Sequence, residues 1–320
     1  MAPRHDDVVL DWGLCLPPVT AMALHLSSVH PDVLPELQAL WQRQMAPLPV
    51  DDLAHGLLDA AREHGRHALM AWRDGHVVGA AGWVTFGIAV DGCGYGSPLV
   101  AADGETARVL IDAVLAALAA AGAARARIAA CAGEVAKHEA LRAGGFGALF
   151  EFVHFVLPLP MAAGVALPPA LHCVPAGHID WSRLRACYAE TFAGVANSPV
   201  PDAAVLREEW SVADWQASRV LADAAGEYQA FVVVCGDGVD AVGVRSGWRG
   251  HHVAQGLYAQ AAAVLACRGV AEMAALVASD NAPSLRFHHA LGCHEAAPRR
   301  TVYEIALADG RGRTYSPYTS

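Results

Sequence analysis

Val242-Gly-Val-Arg-Ser-Gly-Trp-Arg-Gly-His-His-Val-Ala-Gln-Gly-Leu257 reads as a strand, a short loop and the start of an amphipathic helix. Leu257, Ala261 and Val264 then recur on one helical face. A helix begins with unpaired backbone N–H groups and the positive end of its dipole, so small residues just ahead of it suit a pyrophosphate. Arg249 adds fixed positive charge. Taken alone, the same stretch is also an ordinary surface turn with a helix cap, and its surroundings have to decide.

Upstream, the pattern predicts a strand at Leu171 to Val174, helices near Asp180 to Phe192 and Asp202 to Trp215, and strands around Val220, Phe231 and Val242. Downstream it predicts a helix from Val253 to Cys267, a strand from Met273 to Ala278, a helix from Ala282 to Ala290 and a last strand at Val302 to Ile305. The first half of the chain has the same look. Met22 to Val29 reads as a strand, Pro31 to Met45 and Asp51 to Gly65 as helices, and His67 to Val84 as a hairpin turned at Asp74-Gly75.

A shift of 147 residues aligns the halves: Ala23-Leu24-His25 with Ala170-Leu171-His172, Leu110 with Leu257, and Gly145 with Gly292. The chain therefore reads as a duplication of a mixed α/β unit. Between the copies lies Leu157-Pro-Leu-Pro-Met-Ala-Ala-Gly-Val-Ala-Leu-Pro-Pro169, whose prolines forbid regular helix and suit an extended connector. The expected division is residues 1–160, a connector at 161–169, a second unit at 170–308 and a tail at 309–320.

With a second segment, Val277-Ala-Ser-Asp-Asn-Ala-Pro-Ser-Leu-Arg-Phe-His-His-Ala-Leu-Gly-Cys293, the second unit resembles the GNAT superfamily of N-acetyltransferases, in its tandem two-domain form. The family's loop fingerprint is Gln or Arg, two residues, Gly, one residue, then Gly or Ala. Arg249 and Ala254 fit its ends, and His252 stands at its central glycine. The spacing from Asn281 to Gly292 fits the family's second cofactor-contacting segment. The resemblance implies an α/β (α+β) fold of two tandem domains. Each would be a mixed, mostly antiparallel sheet flanked by helices, with a splayed strand pair holding acyl-CoA.

The resemblance further implies that acetyl-CoA lies where the strands at Val242 and Val277 part, touched by Val242, Gly243, Val244, Arg249, Gly250, His251, His252, Val253 and Ala254. Asn281, Ser284 and Phe287 would contact it from the second segment. A backbone N–H would polarise the thioester carbonyl, and a small-molecule amine would attack directly in a ternary complex. The family's general acid is a tyrosine seven residues after the Asn, a position held here by His288. An imidazole with an ordinary pKa of about 6.5 is able to protonate a thiolate whose thiol sits near about 8.5.

Candidates for the general base are Asp240, ahead of the central strand, and Glu208 or Glu209 on the second helix. The alternatives are a turn residue, a solvated helical face and a water relay. In the first copy Ala102, Glu105, Glu134 and Leu141 fall at the positions of Arg249, His252, Asn281 and His288. A carboxylate there repels a pyrophosphate, so the first copy is expected to be degenerate and not to bind CoA in the usual way.

Composition sets the outer bounds. The chain has 320 residues, 54% of them apolar and 17% charged, which excludes a disordered polypeptide. A formal net charge of -10 opposes phosphate-backbone binding and favours cationic small molecules, so no nucleic-acid partner is expected. The longest apolar run, Ala113 to Ala124, is too short to span a bilayer, so no membrane partner is expected either. The start, Met-Ala-Pro-Arg-His-Asp-Asp, lacks the order of a secretory signal, which points to the cytoplasm.

Eight cysteines occur singly, and the pairs His251-His252 and His288-His289 diverge on their helices, so no metal is expected. A monomer or a homodimer is equally compatible. The sequence reading is therefore an acyl-CoA-dependent N-acetyltransferase of a small amine, with one degenerate and one cofactor-binding copy. The alternative is a non-catalytic acyl-CoA-binding sensor or assembly module, suggested by the departures at His252 and His288.

Overall fold

The structure is a computed structural model that describes residues 24–46, 50, 52–161, 165–195 and 198–307. The expected tail at 309–320 and residues 22 and 23 of the first expected strand lie outside the described residues. The first half runs β1 (His25–Ser27), α1 (Leu34–Met45), α2 (Leu53–Leu58), β2 (Ala68–Arg73), β3 (His76–Val84), α3 (Ile88–Asp91), β4 (Cys93–Ala101), α4 (Gly104–Ala120), β5 (Arg125–Cys131), α5 (Val135–Ala143) and β6 (Gly147–Pro158). The second half runs β7 (His172–Val174), α6 (Trp181–Thr191), α7 (Ala203–Glu209), β8 (Arg219–Ala222), β9 (Tyr228–Cys235), β10 (Gly238–Val244), α8 (Val253–Cys267), β11 (Glu272–Ala278), α9 (Ala282–Ala290) and β12 (His294–Ala306). The shift of 147 residues carries β5 onto β11 and α5 onto α9, end to end.

Both halves are mixed α/β, but they share one twelve-stranded sheet in the order β1-β2-β3-β4-β5-β12-β6-β11-β10-β9-β8-β7. Each half gives its last strand to the other. β6 lies antiparallel to β11, with Leu276 opposite His154, and β12 lies antiparallel to β5, with Tyr303 opposite Ile128. The two exchanged strands then pair with each other along the middle of the sheet. Among the described residues, the only parallel neighbours in the sheet are β4 with β5 and β10 with β11.

Burial follows the exchange. Val153, Phe155 and Leu157 of β6 are buried in one core with Leu257, Tyr258 and Val277 of the second half. Tyr303 of β12 is buried among Leu110, Ile128 and Leu141 of the first. Phe155 is fully buried, and a side chain of that size contributes roughly 1.5–3 kcal/mol to stability when removed from water. The connector takes part as well: a Cβ on Gly256 of α8 would stand 2.8 Å from Leu167 Cδ2, so the chain crosses α8 where only a glycine lets it approach.

Several expected elements differ in extent. The helix read over Asp51 to Gly65 is α2 followed by a separate 3-10 segment at Ala60–Gly65, because Asp59 recaps the chain and Glu63, His64 and Gly65 are left-handed. The helix read to Trp215 stops at Glu209 and continues as a 3-10 turn, after which Asp214 accepts the backbone N–H of Gln216 in a new turn. The last strand, read as Val302 to Ile305, extends from His294 to Ala306. Its ladder with β6 shifts register between Ala296 and Arg300, which accommodates Pro298 inside a strand.

Candidate active site

β10 and β11 pair in register only at Gly238 with Ala274 and Val239 with Ala275, and beyond that they part. On its other edge β10 stays paired to β9 through Val244, with a register shift between Val239 and Ala241 that bulges the strand at Asp240. The parting opens a cleft of about 390 Å³. Val242, Gly243 and Val244 line one side, Ala278, Asn281, Ser284 and Phe287 the other, and Arg249 and Ala254 the end nearest α8. Gly243 has to be glycine, since a Cβ there would stand 2.5 Å from Phe231 Cε1 and 2.6 Å from Thr191 Oγ1.

The turn into α8 leaves the helix start open. Gly250 has φ +80° and His252 φ +57°, and α8 begins without a side-chain cap, leaving its first N–H groups to an incoming acceptor. His252 thus keeps the left-handed conformation that a glycine adopts freely. Its imidazole Nδ1 lies 3.1 Å from Gln255 Oε1, and both groups belong to the helix's own first turn. His251 is exposed beside Trp248, outside the cleft lining, whereas Val253 is buried in the core below. Arg249 Nε donates to the Val244 carbonyl at 3.3 Å, which pins the guanidinium over the end of β10. Asn281 Oδ1 accepts from Ser284 N at 3.2 Å and so caps α9.

His288 lines the cleft, but its ring is only 2% exposed and both of its nitrogens are engaged. Nδ1 lies 2.8 Å from the Ser284 carbonyl, which can only accept, so Nδ1 carries the proton. Nε2 lies 2.8 Å from the Tyr258 hydroxyl and therefore accepts from it. The ring stacks on Phe155 at 5.2 Å, and burial lowers its pKa below the ordinary histidine value. The neutral imidazole presents no free N–H to the cleft, so the expectation that His288 donates a proton directly changes: it meets the cleft together with Tyr258, which also lines it. Burial also raises the Tyr258 pKa.

Tyr258 was not singled out from sequence, although the repeat carries the signal. The 147-residue shift sets Tyr258 on Ile111 and His288 on Leu141, both buried apolar residues. One copy of the fold is filled there with hydrocarbon, and the other with a hydrogen-bonded polar pair.

The base candidates separate clearly. Glu208 is exposed on α7, with its carboxylate 3.6 Å from His64 of the first half, and does not line the cleft. A helix face, rather than chemistry, placed it outside. Glu209, one residue on, turns into a groove between the halves. Burial, then Asp59 and Asp240, push its carboxyl pKa up to about 7. Asp240 stands exposed at the bulge and accepts from Trp210 Nε1 at 2.8 Å. It lines both the cleft and the groove. Phe152 of the exchanged strand β6 also reaches the cleft, so the first half contributes to it directly.

The corresponding places in the first half are closed. Asp103 caps α4 through Thr106 N at 2.9 Å and pairs with Arg73 at 2.7 Å, while Glu105 sits 3.0 Å from the same guanidinium. Carboxylates thus occupy the helix start that α8 leaves open. Lys137, at the position of Ser284, is 2.6 Å from Glu134, at the position of Asn281, and donates to the Leu99 carbonyl at 2.9 Å. This buried ion pair bridges α5 to β4, across the gap that in the second half forms the cleft. Among the described residues no three His, Cys, Asp or Glu side chains gather into a metal-binding group, and no helix is long and apolar enough to cross a membrane.

Comparison with known proteins agrees with this geometry. Residues 181–293 match the acetyltransferase (GNAT) family, so the second half of the chain carries a GNAT domain. No curated protein matches the sequence. Among solved structures, the chain is similar to a tandem GNAT protein from the clavulanic acid biosynthesis pathway, at 14% identity and a TM-score of 0.60, covering 89% of this chain and 98% of that one. It is also similar to a GCN5-related N-acetyltransferase from Sphaerobacter thermophilus, at 13% identity and a TM-score of 0.57, covering 88% and 95% of the two chains. A putative acetyltransferase from Pyrococcus horikoshii aligns at 12% identity and a TM-score of 0.57, covering 96% and 94%. At such identities these likenesses concern the fold.

Proposed function

We propose that the protein is an acyl-CoA-dependent N-acyltransferase that moves an acetyl group to the amine of a small molecule. The observation that carries this reading is the parting of β10 and β11 beside an uncapped α8. A strand edge left without a neighbour pairs with an extended amide chain, and an uncapped helix start receives its phosphates. Val242 and Val244 hold the donor's amide arm, while the turn from Arg249 to Ala254 holds the pyrophosphate. The donor supplies an activated thioester, which exchanges its C–S bond for a C–N bond to the amine.

The protein's part is placement and proton transfer. A backbone N–H of β10 stabilises the developing oxyanion. The departing thiolate takes a proton from the Tyr258 hydroxyl, which gives up its bond to His288 Nε2 to donate it and is reprotonated by the attacking nitrogen. The closed cleft of the first half supports a single donor site in the chain. The test is thermal unfolding with and without acetyl-CoA, followed by thiol release with a panel of amines. Expected are a donor-dependent rise in Tm and amine-dependent thiol release. No rise in Tm would sink the donor assignment, and tight donor binding without thiol release for any amine would favour a sensor.

A further inference from the structure

A second cavity, of about 350 Å³, opens from the closed end of the cofactor cleft. The two share Phe152, Val239, Asp240, Ala275 and Leu276, the residues around the point where β10 and β11 part. The direction of the donor decides what enters it. With phosphates at the start of α8 and the amide arm along Val244 and Val242, the donor runs down β10 toward Val239. There the strands close, Gly238 beside Ala274 and Val239 beside Ala275, and nothing continues between them. A group that extends beyond the thioester carbonyl has to leave the gap and lie on the sheet, in this cavity.

The residues on its floor leave room for that group. A Cβ on Gly238 would stand 3.7 Å from the Ala274 Cβ, so a glycine and an alanine lie side by side there. Ala274 and Leu276 share one face of β11, because successive side chains of a strand alternate. Leu276 is 47% exposed although it sits in an interior strand of the sheet. Phe152 stands half-buried on the neighbouring strand β6, and Met45 of α1 closes the cavity from the first half. An aliphatic chain laid over Leu276 and Phe152 removes apolar surface from water on both sides of the contact.

The polar groups of the cavity fit a chain without charge. Asp240 accepts from Trp210 Nε1 at 2.8 Å, and Arg300 Nε donates to Cys131 Sγ at 3.3 Å. Burial, then the Arg300 guanidinium, lower the pKa of His154, so its ring is neutral at neutral pH. An uncharged chain leaves all of these contacts in place. Building on the acyl-CoA reading of the cleft, we propose that this cavity receives the acyl group of the donor, and that the donor site takes straight, uncharged acyl chains longer than acetyl.

The experiment is calorimetric titration of the full chain with CoA and with acetyl-, butyryl-, hexanoyl- and succinyl-CoA. Leaving the amine out keeps an acceptor from competing for the cavity. Each methylene taken up should tighten the donor about 2- to 4-fold, so Kd is expected to fall about 4- to 16-fold from acetyl- to butyryl-CoA and further to hexanoyl-CoA. Succinyl-CoA has the same chain length as butyryl-CoA and should bind more weakly, because its carboxylate gives up hydration on that floor. Ala274→Phe fills the floor and should bring the acetyl-to-butyryl ratio of Kd to about one. Leu276→Gln changes an exposed side chain, which spares the fold, and should reduce the gain per methylene. A Kd that does not fall from acetyl- to butyryl-CoA, a gain that survives undiminished in either folded variant, or tighter binding of succinyl- than of butyryl-CoA overturns this inference and leaves the acyl-CoA reading standing. Absence of binding by every acyl-CoA overturns both.

Discussion

The molecule contains its own control for the Tyr258–His288 pair, and replacing it is the most informative perturbation. Tyr258 is 1% exposed and His288 2%, and their hydrogen bond of 2.8 Å is buried. Tyr258→Phe alone leaves the imidazole Nε2 without its donor, and His288→Leu alone leaves the tyrosine hydroxyl without its acceptor. A buried polar group stranded in this way costs about 1–3 kcal/mol. His288→Leu also forfeits the stacking on Phe155, about 0.5–1.5 kcal/mol. The double variant removes donor and acceptor together, so its cost should fall below the sum of the singles by about 1–2 kcal/mol. The first half carries Ile111 and Leu141 at these places, so the fold itself accepts apolar side chains there.

The assay is urea unfolding of wild type, both singles and the double, at one pH, beside thiol release from acetyl-CoA. Folding should survive in the double variant while turnover falls by about 10²-fold or more. Strict additivity of the stability costs would show that the two groups are not coupled, and full activity in the double variant would remove the pair from the proton path.

Three further outcomes are expected. Glu209 has its pKa raised from 4.5 to about 7, so its protonated form is the one the fold favours. Its contribution is whole below the unfolded pKa and is lost as pH rises through about 7, on the order of 2–3 kcal/mol, and unfolding free energies measured from pH 5 to 8 should show that decline in wild type but not in Glu209→Gln. His252→Gly relieves a left-handed residue at a cost in chain entropy, for a net gain of up to about 1 kcal/mol and a Tm higher by about 2–4 °C, with the acetyl-CoA shift retained; a lower Tm would assign more weight to the contact with Gln255. Lys137→Met strands the buried Glu134 carboxylate and should cost about 3–5 kcal/mol in chemical unfolding, most of it recovered by adding Glu134→Gln, because a charge left unpaired is costlier than no pair.

Periodicity within one element was enough to read some of this from the residues. Helix α8 was expected over Val253 to Cys267 and has those bounds, since its apolar stripe is long and its start is marked by a loop of small residues. Val242, Gly243, Val244, Arg249 and Ala254, and likewise Asn281, Ser284 and Phe287, come together because a strand, a turn and a helix follow one another without interruption. The exchange of β6 and β12 was not legible. A strand's alternation says which face is buried, not which neighbour buries it, and two copies of one pattern satisfy either partner. The choice between Glu208 and Glu209 failed for a related reason: α7 is too short for its apolar residues to define a face. The partners of His288 lie on its own turn and on another helix, so its hydrogen bonds appear only once α8 and α9 are packed.

The exchanged strands also set the order in which the chain becomes a protein. β12 is the last described strand to leave the ribosome, and it fills the place beside β5 in the first half. The first half, though made first, waits for β12 before its sheet is complete. The second half, for its part, borrows Phe152 and Phe155 from a strand made long before it. A gene deletion removing the first copy therefore strips a strand from the core of the second, as well as one wall of the groove.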